Sequence, residues 1–413
     1  MTHDCCAPSK GELMPVEEAR ERILSLVSPV AGTERVSLQT ALDRVLARDL
    51  VSPVDVPAFD NSAMDGYALR HADLEAGTPL EVVGRALAGA PWEGRLAAGQ
   101  AVRIMTGAVM PEGADTVVMQ EQVTVSDDRI RIEGEHRPGE NVRRAGEDIR
   151  RGETVLAAGR RLNVADIGML ASIGIDEVPV RRRARVAFFS TGDELVPPGR
   201  PLAPGQIHDS NRHVLRAALQ RMGLEPLDLG IVPDTREATE QTLTEAVEMA
   251  DAIVTSGGVS VGEADYVKET VERMGELHLW RIRMKPGKPL AVGRIAGTLF
   301  FGLPGNPVST LVTFLQFVRP ALEALGGTQP RPLPRLRVPL AEDIRRSPGR
   351  QEYMRGRLEH AAGGGLSVRR TGAQGSHVMT SFRDADCFIV LPPEAGCIPA
   401  GTEVDVELLG GIL

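Results

Sequence analysis

Aromatic side chains are scarce in this sequence of 413 residues. Phe, Trp and Tyr together make up 3% of it, so we do not expect a stacking platform for single-stranded nucleic acid. Positive charge is in deficit as well, since the formal net charge is −9. That balance argues against nonspecific binding to nucleic acid or to an anionic membrane surface. An anionic substrate would therefore need a local basic pocket.

Long apolar runs are also lacking. No stretch approaches the roughly 20 apolar residues of a membrane-spanning helix. The first residues contain no basic region followed by an apolar core, so no secretory signal is expected and a cytoplasmic location is the default. None of the cysteines has a Cys-x-x-Cys spacing, which favours free thiols over a metal or redox site. The four cysteines are Cys5, Cys6, Cys387 and Cys397.

What remains is ordinary for a globular protein, with a hydrophobic share of 42% and a charged share of 25%. The most informative local pattern is a glycine-rich stretch between a predicted strand at 252–254 and a predicted helix from Asp265. Such a loop lets the backbone approach a ligand, and the amides at the helix start suit an anion. Its acids, Glu263 and Asp265, suggest a phosphate with Mg²⁺, while an ordinary turn with solvent-facing acids is the alternative. The candidate binding residues are Ser256, Gly257, Gly258, Ser260 and Gly262.

Predicted strands and helices alternate from Arg185 to Gly326. This alternation indicates a parallel sheet with helices on both faces, in which ligands bind outside the carboxyl ends of the strands. Polar residues follow several of these strand ends, and loop filling alone does not account for so many carboxylates at one edge. They are Thr191, Asp193, Glu194, Asp234 and Asp265.

Residues 281–289 contain four cations and no acid, which matches the basic pocket that the net charge requires. Lys285 and Lys288 flank a Pro-Gly turn that would hold them in place. A second glycine loop follows the strand predicted at 298–301, and its backbone amides could bind an anion. Asn306 suits a helix N-cap and Pro307 a first helical turn. The glycines of this loop are Gly302 and Gly305.

The rest of the chain predicts flanking modules. Residues 13–50 and 147–183 predict a discontinuous helical or mixed scaffold, with helices at 15–26, 38–47 and 164–173. Residues 51–146 predict a mainly-β module. Within it, 49–70 has too few apolar residues for a core strand and is interpreted as a polar turn, and 141–148 as a surface salt-bridge cluster of two arginines with two acids. The α/β domain spans 184–328, and 329–413 predicts a C-terminal small β-barrel. The fold class is therefore multidomain α/β with flanking β modules.

Ordered motifs through nearly the whole chain, from about Leu13, resemble the MoeA family, which includes the E domain of gephyrin. The motifs are PAFDNSAMDGYA at 57–68, FSTGDEL at 189–195, SGGVSVGEADY at 256–266, KPGKP at 285–289 and GLPGNPVS at 302–309. The resemblance implies a molybdopterin-binding-like central domain and a molybdopterin molybdenumtransferase. Such an enzyme inserts molybdate, its substrate, into adenylylated molybdopterin with Mg²⁺, and releases AMP to give the molybdenum cofactor.

The resemblance also implies a homodimer with active sites shared between subunits. Further partners would be the molybdopterin adenylyltransferase and molybdoenzymes, with no nucleic acid and no membrane. Two alternatives to the transferase stay open: a molybdopterin adenylyltransferase, and a gephyrin-like non-catalytic scaffold.

By position, the resemblance carries functional roles to individual residues. Lys285 and Lys288 would hold phosphates, and Arg355 and Ser376 would position molybdate. Mg²⁺ takes oxygen ligands, and the implied ones are Glu194, Asp234 and Asp265. The implied catalytic residues are Asp65, Thr106, Glu194, Asp234, Asp265 and Lys285, and the substrate contacts that the resemblance adds are Pro304, Pro307, Arg355 and Ser376.

Overall fold

A computed structural model describes residues 13–258, 266–360 and 363–410 of the chain. The chain divides into two compact units. One unit is Arg35–Val180, and the other contains the chain up to Glu34 and from Arg181 onward. Two short strands straddle the division points and pair with each other, Thr33–Ser37 and Glu177–Arg181. The sequence predicts four modules, whereas this division gives two units. The boundaries of the four modules stay a prediction.

A six-stranded sheet forms the centre of the unit that follows Arg181. Its strands are β1 (Arg185–Thr191), β2 (Glu225–Val232), β3 (Ala252–Ser256), β4 (Gly275–Arg281), β5 (Pro289–Ile295) and β6 (Thr298–Leu303). Their lateral order is β2-β1-β3-β6-β5-β4. The predicted parallel pairing is confirmed for β2, β1, β3 and β6. In contrast, β5 pairs antiparallel with both of its neighbours, β6 and β4. Only Ala296 and Gly297 join β5 to β6, and a parallel crossover needs about a dozen residues.

Helices cover both faces of this sheet. They are α1 (Asn211–Arg221), α2 (Arg236–Met249), α3 (Tyr266–Met274), α4 (Pro307–Thr313) and α5 (Arg319–Leu325), with a π-helical segment, Phe314–Val318, between the last two. Alternate residues of β1 face opposite sides, as in any strand. Phe188 packs in the core that includes Leu215 of α1, and Phe189 packs in the core that includes Leu243 of α2. The two-faced α/β architecture predicted for this region is thus confirmed.

The continuous helix Pro307–Leu325 is the apolar centre of this unit. An 18-residue window of this 19-residue helix has a mean hydropathy of 1.2, so by length and composition it could cross a membrane. It is not an unbroken apolar run, because it contains Gln316, Arg319 and Glu323, and 89% of the window is buried inside the protein. Its buried polar residue Gln316 is satisfied, because it donates to Glu407 at 2.7 Å and accepts from Arg20 at 2.9 Å. Through these bonds it ties the N-terminal helix Val16–Ser25 to the last strand of the chain.

The C-terminal residues form the predicted small β-barrel. Its strands are Arg335–Pro339, Gln351–His360, Leu366–Arg370, Cys387–Leu391 and Glu403–Leu408, joined at one edge by the short strand Met284–Lys285. A bridge between Leu340 and Val368 brings the first strand back to the third. Side chains from all five fill one interior core.

The unit Arg35–Val180 contains a second six-stranded sheet. In lateral order its strands are Thr116–Met119, Gly66–Leu69, Gln100–Ile104, Leu80–Ala86, Arg129–Ile132 and Val123–Ser126. Helix Val164–Ser172 begins with a capping box between Asn163 and Asp166. The prediction of a helix at 38–47 is wrong. Only a 3-10 turn, Leu38–Thr40, forms there, and Leu46 instead makes a β-bridge with Val180.

Strand Gly66–Leu69 is fully buried between two neighbours, which corrects the interpretation of 49–70 as only a polar turn. Two of its four residues, Gly66 and Ala68, are small, so the hydrophobic pattern did not indicate a strand. A Cβ atom on Gly66 would collide with the carbonyl oxygen of Val118 on the adjacent strand. This position therefore requires glycine because the backbones approach closely.

Gly66→Ala is expected to lower the free energy of unfolding by about 1–3 kcal/mol, because the added methyl group overpacks a buried site. Differential scanning calorimetry would show a lower unfolding midpoint. Gly168→Ala is the matched control. Gly168 is an exposed helical residue with open space around the added Cβ, so stability should stay equal or rise by up to about 1 kcal/mol. Equal midpoints for Gly66→Ala and the wild type would contradict the tight packing.

Candidate functional site

In the unit Arg35–Val180, the structure brings together the predicted residues Asp65 and Thr106. The backbone N–H and the hydroxyl of Thr106 both donate to Asp65 Oδ1, each at 2.7 Å. The backbone bond first, and the hydroxyl second, lower the pKa of the Asp65 carboxyl. Asp65 is therefore held as an oriented carboxylate at the surface of this unit.

The neighbouring Asp60 is held in the same manner. The backbone N–H of Ala145 donates to it at 2.8 Å, and Arg144 Nη1 lies 2.6 Å from its other oxygen. These contacts lower the pKa of Asp60. The arginine and acidic residues predicted to pair within 141–148 therefore have partners other than those predicted. Arg144 pairs with Asp60, while Glu147 accepts a bond from the Arg144 backbone.

In the other unit, three carboxylates lie at the carboxyl ends of β1 and β2. The backbone N–H of Asp234 donates to Asp193 Oδ1 at 3.3 Å. Partial desolvation raises the pKa of Asp234, and the charges of Asp193 and then Glu194 raise it further. The predicted acids Glu194 and Asp234 are therefore close enough to repel each other.

The glycine loop after β3 lies beside these acids. Ser256 ends the buried strand, and Gly257 and Gly258 have φ angles of 92° and 65°. A Cβ atom on either glycine would come within 3.1 Å of Thr191 Oγ1, so only glycine fits this approach. Four further residues singled out in this loop lie outside the described residues: Ser260, Gly262, Glu263 and Asp265.

Asn211, the first residue of α1, joins the two predicted binding loops. Its Nδ2 donates to Ser256 Oγ and to the Gly305 carbonyl oxygen, both at 2.7 Å. Its Oδ1 is buried and has no hydrogen-bond partner within the described part of the chain, and the same holds for Thr191 Oγ1. Unsatisfied buried polar atoms are rare and often mark functional positions.

The second loop ends at the buried helix α4. Gly302 lies within β6, opposite Thr255 and Ala291, so it belongs to the strand and not to the loop as predicted. Asn306 and Pro307 take the predicted N-cap and first helical positions, although the Asn306 side chain makes no cap bond. The Pro304 carbonyl accepts a 2.6 Å bond from Thr310 Oγ1.

The barrel brings Ser376 to this helix. The backbone N–H of Val308 donates to the Ser376 carbonyl oxygen at 3.0 Å. Arg355 is only 1% exposed, and it donates to Ser381 Oγ at 2.9 Å and to the Gly375 carbonyl at 3.3 Å. Burial lowers its pKa to about 10. Arg355 therefore holds the loop that carries Ser376, and in this structure its guanidinium does not face solvent.

The basic turn joins β4 to β5 at the same edge, because β5 runs antiparallel to β6. Lys285 and Lys288 are exposed, and a Cβ atom on Gly287 would collide with Thr313 of α4. The turn thus packs on the helix that also anchors the second loop. An acid from outside this segment lies beside it, since Lys285 Nζ is 2.7 Å from Glu352 Oε1 of the barrel.

Along this edge of the sheet, the charge of the side chains changes from negative to positive. Carboxylates lie at the ends of β1 and β2, glycine loops follow β3 and β6 in the middle, and two lysines lie between β4 and β5. Such an arrangement suits a ligand that carries phosphate and is accompanied by a cation.

The carboxylates at this edge have the oxygen ligands that a cation site needs. Across residues 13–258, 266–360 and 363–410, no three His, Cys, Asp or Glu side chains gather closely enough to hold a metal ion by themselves. Mg²⁺ commonly uses one or two carboxylates together with waters and substrate phosphates. Glu194 and Asp234 supply such oxygens, and a cation would relieve the repulsion that raises the pKa of Asp234. Their donor chemistry therefore fits Mg²⁺.

Comparison with known proteins adds a family. Family models match three consecutive parts of the chain: the MoeA N-terminal region (domain I and II) at 14–174, a "probable molybdopterin binding domain" at 187–324, and the MoeA C-terminal region (domain IV) at 337–409. The molybdopterin molybdenumtransferase of Haemophilus influenzae is 42% identical over 403 residues, which cover 97% of this chain and 100% of the relative. This chain belongs to the MoeA family.

Other relatives agree with this assignment. The molybdopterin molybdenumtransferase of a Nostoc species is 41% identical, over 90% of this chain and 88% of the relative. Dictyostelium discoideum gephyrin is 34% identical, over 98% of this chain and 63% of the relative. The crystal structure of the molybdopterin biosynthesis moeA protein from Pyrococcus horikoshii superposes with a TM-score of 0.84 at 30% identity, over 96% and 100% of the two chains. Like its MoeA relatives, the chain is an enzyme.

Three residues at this edge of the sheet were not among the predicted site residues: Asp193, Asn211 and Glu352. Asp193 was noted at a strand end but given no role, and Asn211 was not singled out. A local signal for Asn211 exists, because the segment Asp209-Ser210-Asn211 places polar, cap-forming residues at a helix start that follows a strand. Glu352 gave no signal, since its partner lies on a distant part of the chain.

Asp193→Asn is expected to lower the pKa of Asp234, because it removes the nearest like charge and keeps an oxygen that can accept the Asp234 N–H. An NMR titration of the Asp234 carboxyl carbon would show ionisation at lower pH. In the wild type the raised pKa means that folding favours the protonated acid, so this contribution to stability is lost as the pH rises through the folded pKa. Asp405→Asn, on the barrel surface, is the control and should leave the titration unchanged. An unaltered Asp234 titration in Asp193→Asn would refute the coupling.

Proposed function

We propose that this enzyme is a molybdopterin molybdenumtransferase, which inserts molybdate into adenylylated molybdopterin and releases AMP. The order of charge along the sheet edge carries the proposal, because one face offers carboxylates for a cation, glycine loops for phosphate oxygens and lysines for negative charge. The similarity to relatives of that name over nearly their whole length supports the same substrate.

In this proposal Lys285 and Lys288 bind phosphate groups of the substrate, and the backbone at Gly257, Gly258 and Gly305 lies against it. Ser376, set in place by Arg355, lines the position for molybdate, while Arg355 acts through that loop. The dithiolene sulfurs of molybdopterin replace oxygens of molybdate, which leave as water with protons from the thiols and from solvent, and water cleaves the phosphoanhydride bond to release AMP. The protein contributes orientation and electrostatic stabilisation.

Glu194 and Asp234 would hold Mg²⁺, together with Asp265, which lies outside the described residues. When bound, the ion neutralises phosphate charge. We further propose a cytoplasmic homodimer in which Asp65 and Thr106 of one subunit complete the active site of the other. The oriented Asp65 carboxylate at the surface of its unit supports such a role. The molybdopterin adenylyltransferase and molybdoenzymes are its proposed partners.

The test is AMP release from adenylylated molybdopterin, measured by chromatography with and without molybdate and Mg²⁺. Release should need both. Asp234→Asn and Lys285→Ala are each expected to slow it by about 100-fold, the order of magnitude for losing one electrostatic contact in an active site. Asp405→Asn changes the charge by the same amount as Asp234→Asn; it is the control for that variant and should keep full activity. AMP release at the same rate with and without molybdate would contradict the proposal, and so would consumption of ATP with free molybdopterin.

A scaffold is the second candidate, because gephyrin of Dictyostelium discoideum is among the relatives. The same assay separates the two functions. A purely scaffolding protein would release no AMP, and Asp234→Asn would then have no metabolic effect in cells that lack the native gene.

A further inference from the structure

Glu352 is a buried acid that reaches the basic turn from another part of the fold. It is 4% exposed and lies in the barrel strand Gln351–His360. The short strand Met284–Lys285 pairs in parallel with this strand, with Lys285 opposite Glu352. Backbone pairing therefore fixes the two side chains next to each other, and the 2.7 Å contact between Lys285 Nζ and Glu352 Oε1 follows.

A buried arginine balances the charge of this acid. Arg346 Nε lies 3.3 Å from Glu352 Oε2, and both side chains are at most 5% exposed. Arg346 is fixed by the carbonyl oxygens of Pro392, at 2.7 Å, and Arg350. Neither Arg346 Nε nor Glu352 Oε2 has a hydrogen-bond partner among the described residues, so their contact is ionic.

The three charged groups together carry a net charge of about +1, since two cations share one carboxylate. The Arg346 side chain is buried and its two terminal nitrogens donate to carbonyl oxygens, whereas the Lys285 side chain is 53% exposed. The remaining positive charge is thus available at Lys285, at the edge of the sheet. An ordinary surface ion pair would neutralise the lysine, and the buried arginine prevents this.

We propose that Glu352 is a positioning residue, which orients the Lys285 ammonium for a phosphate group of the substrate while Arg346 leaves that ammonium its net charge. This inference rests on the proposed function, because it assigns the anion that Lys285 meets. Glu352 touches no substrate itself, and it acts through Lys285. A structural link between barrel and sheet is the competing explanation.

A double-mutant cycle in AMP release distinguishes these explanations. Glu352→Gln should reduce kcat/KM by about 10-fold, as expected for one hydrogen bond to a charged group. In a Lys285→Ala background the same change should have no further effect, because residues that act as one unit are not additive. Glu352→Asp should restore part of the activity. Equal losses from Glu352→Gln in both backgrounds would overturn the positioning role.

Glu352→Gln leaves Arg346 buried without a counter-charge, which can destabilise the fold. Arg346→Gln/Glu352→Gln removes both buried charges and is the second variant, with the same expected loss. Calorimetric midpoints equal to that of the wild type would show that the lost activity is not lost folding. Full activity of this folded variant would also overturn the proposal.

Trace acetylation followed by mass spectrometry reads the contact without activity. Lys285 should be acetylated several-fold faster in Glu352→Gln than in the wild type, because its nitrogen is no longer held against the Glu352 carboxylate. Lys288, in the same turn, is the internal reference and should not change. A wild type that releases no AMP but shows this labelling difference would reject the proposed function while the contact stands. An unchanged Lys285 rate would reject the contact and the inference.

Discussion

The predicted substrate-binding residues depend on the hydrogen bonds at the buried start of α4. Thr310 holds the Pro304 carbonyl, Val308 holds the Ser376 carbonyl, and Asn211 holds the carbonyl just before Asn306. These bonds attach the end of β6, a barrel loop and the start of α1 to one helix. Because α4 is buried along its length, none of these pieces can shift without disturbing the core, and the site geometry is therefore set by packing.

Electrostatics adds a direction to that geometry. The acids lie toward one end of the row of strands along this sheet edge, and the lysines lie toward the other end. The basic turn reaches this edge because β5 runs antiparallel to β6. A phosphate ester lying across the glycine loops would have carboxylates at one end and ammonium groups at the other. A protein of net negative charge can still offer a local group of positive charges, as Lys285 and Lys288 do here.

Much of this arrangement could be predicted from the sequence, and the failures have a common physical cause. Helices, parallel strands and glycine turns were predictable because their patterns are local, as in Ala252–Ser256. Strand Gly66–Leu69 was missed because the close approach of the neighbouring backbone requires glycine at position 66, which weakens the apolar pattern. Glu352 and Asn211 were missed because their roles depend on partners far along the chain. The motifs at 256–266 were recognised by resemblance, and the positions of Ser260 and Asp265 remain predictions.

The paired strands Thr33–Ser37 and Glu177–Arg181 have a consequence for the chain as a whole. They place the entry and the exit of Arg35–Val180 side by side. In topological terms, this stretch is therefore an insertion. The two chain segments that flank it end next to each other. Domains with neighbouring termini tolerate insertion and removal. A short linker could join the two flanking segments, so the α/β sheet and the barrel could be produced without the inserted stretch.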